Sequence, residues 1–115
     1  MSTIQGFLHG FASGGGSNGQ ILDAMVAPAP CTIRLVLAVC QAGGGSPTVI
    51  DVLLNGTSVW HNPADRPTLA AGVSGRFVNG RINRSAVQPA DVLQLVVASA
   101  GGGSQLAATV ALEDP

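Results

Sequence analysis

The stretch "LVLAVCQAGGGSPTVIDVLLNG", residues 35–56, decides the fold of this chain. Two apolar runs rich in Val, Leu and Ile flank a glycine loop. Branched side chains suit a pleated surface, and a run of glycines ends any helix. The second run stops at Asn55-Gly56. This is the strongest short hairpin signal, because a type I′ turn needs φ > 0 at both central residues. Working outward, "CTIRLVLAVCQ" (31–41) reads as one long strand. Period-two alternation assigns Cys31, Ile33, Leu35, Leu37 and Val39 to one face and Thr32, Arg34, Val36, Ala38 and Cys40 to the other. "TVIDVLL" (48–54) returns, with Ile50, Val52 and Leu54 facing one way and Asp51 and Leu53 the other.

The rest of the chain reads in the same way. "QILDAMVA" (20–27) is a strand stopped by "PAP" at 28–30, and "TSVW" (57–60) pairs back from the Asn-Gly turn. "HNPADRP" (61–67) is a loop, residues 68–82 hold another short strand region, and "VQPADVLQLVVAS" (87–99) is a turn followed by a strand. "QLAATVAL" (105–112) closes the sheet. Seven or eight short strands with this punctuation predict an all-β chain, an antiparallel β-sandwich or jelly roll. Residues 1–19 read as an N-terminal arm and a Gly/Ser loop, and residues 20–115 as the sandwich domain.

The cassette "AGGGS" occurs at 42–46 and again at 100–104, and "SGGGS" stands at 13–17. At an offset of 58 residues, "LVLAVCQAGGGSPTVIDVLL" (35–54) lies over "LQLVVASAGGGSQLAATVAL" (93–112). "AGVSG" (71–75) fills the remaining place in a spacing close to 29. Duplication and convergence of two hairpins explain this echo equally well. The cassettes are not phosphate loops, since the chain has no Lys and no helix follows them. They read as hairpin tips, either free or offering bare backbone to a neighbouring subunit.

At 115 residues the chain is one domain, long enough to bury about two-thirds of its unfolded surface. Charged residues are only 10% of it, aromatics 3%, and hydrophobic residues 46%. The core must therefore be aliphatic. A net charge of −1 gives no nucleic-acid footprint. So few charges on so apolar a chain point to a surface covered by copies or partners. No run approaches the ~20 apolar residues of a membrane span, and the first residues lack the pattern of a signal peptide. Cys31 and Cys40 on one extended strand would stand about 30 Å apart, so unbridged, buried thiols are expected.

The stretches "APAPCTIRLVLAVC", "TVIDVLLNGTSVW" and the later "VQPADVLQLVVASAGGGSQLAATVAL" resemble a small sandwich domain of tailed-bacteriophage accessory virion proteins. Asn55, Gly56, Thr57, Ser58 and Val59 match its hairpin, and Pro89, Ala90, Asp91 and Leu93 its late turn; Ala90 stands where the pattern carries Gly. The resemblance spans roughly residues 20–112. It implies a structural protein of the virion, commonly trimeric, that decorates the capsid or belongs to a head fibre or tail, with no enzymatic activity.

Candidate contacts follow. The arm offers Ile4, Phe7 and Phe11, and "GRFVNGRINR" offers Arg76, Arg81 and Arg84, which could grip an acidic lattice through guanidinium forks. The alternative is a carbohydrate- or receptor-binding module of a phage fibre or tail using Trp60, His61, Asn62, Asp65 and Arg66, with the indole on a sugar face. His9 and His61 are the only histidines. No metal, cofactor or catalytic residue is expected. The expected partners are further copies of the chain, as a homotrimer, and a major capsid protein or another virion protein, without nucleic acid or membrane.

Overall fold

The Asn-Gly turn forms as its residues dictate. Asn55 and Gly56 take φ of 52° and 85°, and Leu54 pairs with Thr57 across a two-residue loop. In the computed structural model, residues 4–12, 16–40, 44–72, 75–79, 82–103 and 105–114 are described, residues 4, 5 and 75–79 by backbone alone. Among the described residues, ten strands run in chain order: β1 (Ile4–Ala12), β2 (Ile21–Val26), β3 (Cys31–Cys40), β4 (Thr48–Leu54), β5 (Thr57–Ser58), β6 (Thr68–Leu69), β7 (Gly75–Asn79), β8 (Ala86–Val87), β9 (Val92–Ser99) and β10 (Leu106–Glu113). The described residues contain no α-helix, only a 3-10 turn at Pro63–Asp65.

The strands form two antiparallel sheets. The first runs β1-β10-β3-β7, with β8 also on β3; the second runs β2-β9-β4-β5, with β6 also on β4. β7 and β8 act as one broken edge strand, and so do β5 and β6. This leaves four positions per sheet, with the chain passing repeatedly from one sheet to the other. That is the topology of a jelly roll. Leu8, Ile33, Val36, Ile50, Val52, Leu93, Leu95 and Val110 fill the space between the sheets. Cys31 and Cys40 are buried and not joined in a disulfide. Burial, and to a lesser degree the nearby Asp91 carboxylate, push the Cys31 thiol above its ordinary value.

Residues 4–12, read from the sequence as part of an arm, are a strand of the sandwich. β1 pairs with β10 along its length, and Leu8 is buried in the core. The single-face reading of β3 is also corrected. Ala111 pairs with Leu35 but Leu112 pairs with Ile33, so Arg34 is an extra residue in the ladder. Such a bulge inverts the alternation beyond it. Cys31 and Ile33 point inward on one side of it, and Val36, Ala38 and Cys40 on the other. Leu37 and Val39 therefore face solvent. The assignments along β4 hold, with Ile50, Val52 and Leu54 in the core.

The glycine cassettes meet each other. Gly44 and Gly101 lie backbone to backbone: a Cβ on Gly44 would run into the Gly101 carbonyl oxygen, and one on Gly101 into that of Ser46. Ser46 N–H donates to Gly101 O (3.3 Å), and Gly72 N–H to Gly44 O (2.8 Å). From the first cassette loop, the Asn18 side chain accepts from Ala100 N–H (2.6 Å) and Gly19 N–H donates to Val97 O (2.7 Å). The loops following β1, β3, β6 and β9 thus gather at one end of the sandwich. The spacing near 29 is one traverse away from this end and back.

Candidate interaction site: the outer face of the first sheet

Cross-strand pairing arranges the outer face of the first sheet in rows. Phe7 stands beside Ala111 and then Leu35; His9 beside Thr109 and Leu37; Phe11 beside Ala107 and Val39. Paired residues share a face, so these side chains form one surface. Phe7 and Phe11 are 61% and 55% exposed, and Leu37 and Val39 also lie open. β10 contributes only Ala and Thr between them. The face is therefore a shallow trough along β10 between a Phe ridge on β1 and an aliphatic ridge on β3. His9 Nδ1 and Thr109 Oγ1 are hydrogen-bonded at 2.8 Å across it. Arg34 and Glu113 pair at 3.6 Å near one end.

The second sheet carries a polar centre on its outer face. Asp51 is buried at 6% exposure, although it points away from the core. Its Oδ1 accepts from the Ser58 hydroxyl (2.7 Å) and from Val52 N–H (2.8 Å), and its Oδ2 faces Arg66 Nη1 at 3.6 Å. Arg66 Nε also donates to Pro63 O (3.0 Å). Asp51 thereby holds the 61–67 loop down. Sequence reasoning missed it as an anchor; a carboxylate between Ile50 and Val52 in an apolar strand was the available signal.

The residues proposed for ligand binding do not act as one platform. Trp60 is only 2% exposed and belongs to the core, so its ring offers no face to a sugar. His61, Asn62 and Asp65 are exposed. His61 N–H donates to Asn83 Oδ1 (2.9 Å), and Asn62 caps the 3-10 turn by accepting from Ala64 N–H (3.0 Å). Arg66 is committed to Asp51. The structure thus explains this loop as an anchored connection.

Among the proposed partner contacts, Phe7 and Phe11 lie on the trough, while Ile4 is placed in β1 by its backbone alone. Arg76 stands on β7 opposite Val39, and Arg81 lies outside the described residues. Arg84 lies at the other end, its N–H donating to Val59 O (3.0 Å) next to the Ser85–Ile33 contact. Val39 and Ile33 are about 20 Å apart along β3, so the backbone of Arg76 stands far from that of Arg84. Arg84 instead neighbours Asp91. Hydrogen bonds from Gln88 N–H (2.9 Å) and from the Asn55 amide (3.0 Å) hold the Asp91 carboxyl below the usual range, and Arg84 adds to this. Among the described residues, no group of three or more His, Cys, Asp or Glu is placed to hold a metal ion.

No protein-family model matches the chain, and no curated protein does. Among solved structures, it is similar to sacbrood virus of honeybee in expansion state I, at 11% identity over 99% of this chain and 85% of that one, with a TM-score of 0.42. It is similar to the carbohydrate-binding module CBM35 from Paenibacillus barcinonensis, at 12% identity over 96% and 91%, with a TM-score of 0.44. It is similar to the Tobacco streak virus coat protein, at 8% identity over 96% and 87%, with a TM-score of 0.35. The strand order, rather than these distant likenesses, defines the class as a jelly-roll sandwich.

Proposed function

We propose that the protein is a structural subunit of a virion, an accessory protein that decorates the capsid of a tailed bacteriophage and self-associates there. The observation that carries this reading is the open apolar face of the first sheet. A domain with 10% charged residues that leaves Phe7, Phe11, Leu37 and Val39 exposed is built to be covered. Burying such surface across subunit boundaries stabilises a shell by mass action. The Asn-Gly hairpin and the Pro89–Asp91 turn, which carry the resemblance to accessory virion proteins, support it further. The glycan-binding alternative is left with His61, Asn62 and Asp65, without an accessible Trp60.

The test uses phage heads lacking the protein. Added protein should pellet with them to a saturating ratio against the major capsid protein and raise their heat tolerance. Absence of co-pelleting, together with a specific glycan signal that His61→Ala and Asp65→Ala remove, would overturn the reading.

A further inference from the structure

We propose that Asn55 is a site of spontaneous deamidation, and that its product unlocks the end of the sandwich that carries the 88–91 turn. Asparagine is among the chemically labile residues. Its loss of ammonia uses the next residue's backbone nitrogen as nucleophile, and glycine in that place lets the nitrogen approach. The Gly56 nitrogen bonds to Asn55 Cγ and gives up its proton. The Cγ–Nδ2 bond breaks, and Nδ2 leaves with that proton as ammonia. Solvent water then opens the cyclic imide on either side, leaving aspartate or isoaspartate.

Asn-Gly pairs stand at 18–19, 55–56 and 79–80, and Gly80 lies outside the described residues. The structure separates the other two. Asn18 and Gly19 are exposed, but Gly19 N–H donates to Val97 O (2.7 Å), which commits the attacking nitrogen. Asn55 and Gly56 are exposed as well. Gly56 N–H makes no hydrogen bond among the described residues, and nothing lies within 4 Å of where a Gly56 Cβ would stand. Water and the turning amide both have room there. Elsewhere the nucleophile is missing or committed: Asn62 precedes Pro63, which has no N–H, and Arg84 N–H, after Asn83, donates to Val59 O (3.0 Å). The Asn55 side chain is itself held, its Oδ1 accepting from Val92 N–H (2.9 Å) and its Nδ2 donating to Asp91 Oδ1 (3.0 Å). Ring closure turns the amide away from both, so local opening of the turn sets the pace. The change is one-way. It replaces an amide that donates to Asp91 with a carboxylate that faces it, and like charges so close repel.

The experiment holds the whole folded chain at mildly alkaline pH and follows peptide masses with time. Cleavage after arginine separates Asn18 (residues 1–34) from Asn55 (residues 35–76), because Pro67 blocks cleavage at Arg66. The Asn55 peptide should gain about one mass unit about tenfold faster than the Asn18 peptide. It should do so about tenfold to a hundredfold more slowly than in the urea-unfolded chain, since two side-chain bonds of ordinary strength protect it. Asp91→Ala removes one of the two and should speed the reaction about fivefold. Asn55→Asp, the aspartate product supplied by mutation, should lower the folded-to-unfolded ratio about tenfold. An Asn18 peptide that changes first, or an Asn55 amide that persists in the folded chain while urea releases it, overturns the site. An unchanged rate in folded Asp91→Ala overturns the gating, and Asn55→Asp as stable as the wild type overturns the unlocking. If Asp91→Ala fails to fold, the wild-type ratio of Asn55 to Asn18 still decides.

Discussion

The two ends of the sandwich solve the same problem by different chemistry. At one end, the loops after β3, β6 and β9 meet backbone to backbone, with Gly44 against Gly101, and the Asn18 and Thr48 side chains add one bond each. At the other, side chains do the joining. Asn55 accepts from Val92 N–H (2.9 Å) and donates to Asp91, while Ala27 and the 88–91 turn exchange backbone bonds through Ala90 N–H and Asp91 O, both at 2.8 Å. The glycine end depends on the absence of atoms and the turn end on the presence of specific ones. A methyl group should therefore damage the first, and loss of a side chain the second.

The largest effect is expected at Gly101→Ala. The new Cβ meets fixed backbone rather than a movable side chain, so the variant should lose about 3 kcal/mol or more by thermal or denaturant unfolding. Gly45→Ala, in the cassette that faces Gly101, is the control: nothing lies within 4 Å of a Cβ there, and stability should hold or rise slightly. Equal losses at both positions would break the contrast.

Asn55→Ala should cost about 1–2 kcal/mol, through two lost side-chain bonds and a positive φ that alanine tolerates poorly. The same variant has a signature in acid. The Asp91 carboxyl is held low in the folded state, so its contribution is present above the unfolded value near 4 and is lost as pH falls through the folded value. Without the Asn55 amide that loss should shrink, as a pH series of unfolding midpoints would show. The described residues of the glycine loops (16–20, 44–47, 70–72 and 100–103) carry no titratable side chain, so acid should act on the turn end first.

The smallest effect is a gain. Gln88, Pro89, Ala90 and Asp91 form a turn closed by Asp91 N–H to Gln88 O (3.1 Å), with Ala90 at φ 72°. Proline before a residue of positive φ is the type II pattern, which favours glycine at that second position. Ala90→Gly should stabilise the protein by about 0.5–1 kcal/mol in the same unfolding assay.

The turn end was legible because its signals are local. Asn55-Gly56 and Pro89-Ala90-Asp91 specify their backbone within a few residues. The sandwich class followed from strand punctuation, and the core of β4 from simple alternation. The contact between Gly44 and Gly101 was not legible, since it joins residues 57 apart and depends on close approach rather than on residue character. The outer face was hidden for another reason. "LVLAVC" is apolar on both faces, so only the bulge at Arg34 shows which half of it is core. The arm was misread because Phe7 and Phe11 are as apolar as Leu8, and pairing with β10 alone separates them.

One consequence of the strand order concerns when this chain can fold. β1 and β3 pair only with β7, β8 and β10, and β2 only with β9, among the described ladders. The two halves of the chain are therefore interleaved like the fingers of two hands. Apart from the β4–β5 hairpin, the first half has no ladder of its own to form while it leaves the ribosome. Non-local pairing of this kind folds in milliseconds to seconds rather than microseconds. Until β9 and β10 have emerged, β1 and β2 wait without a described ladder partner.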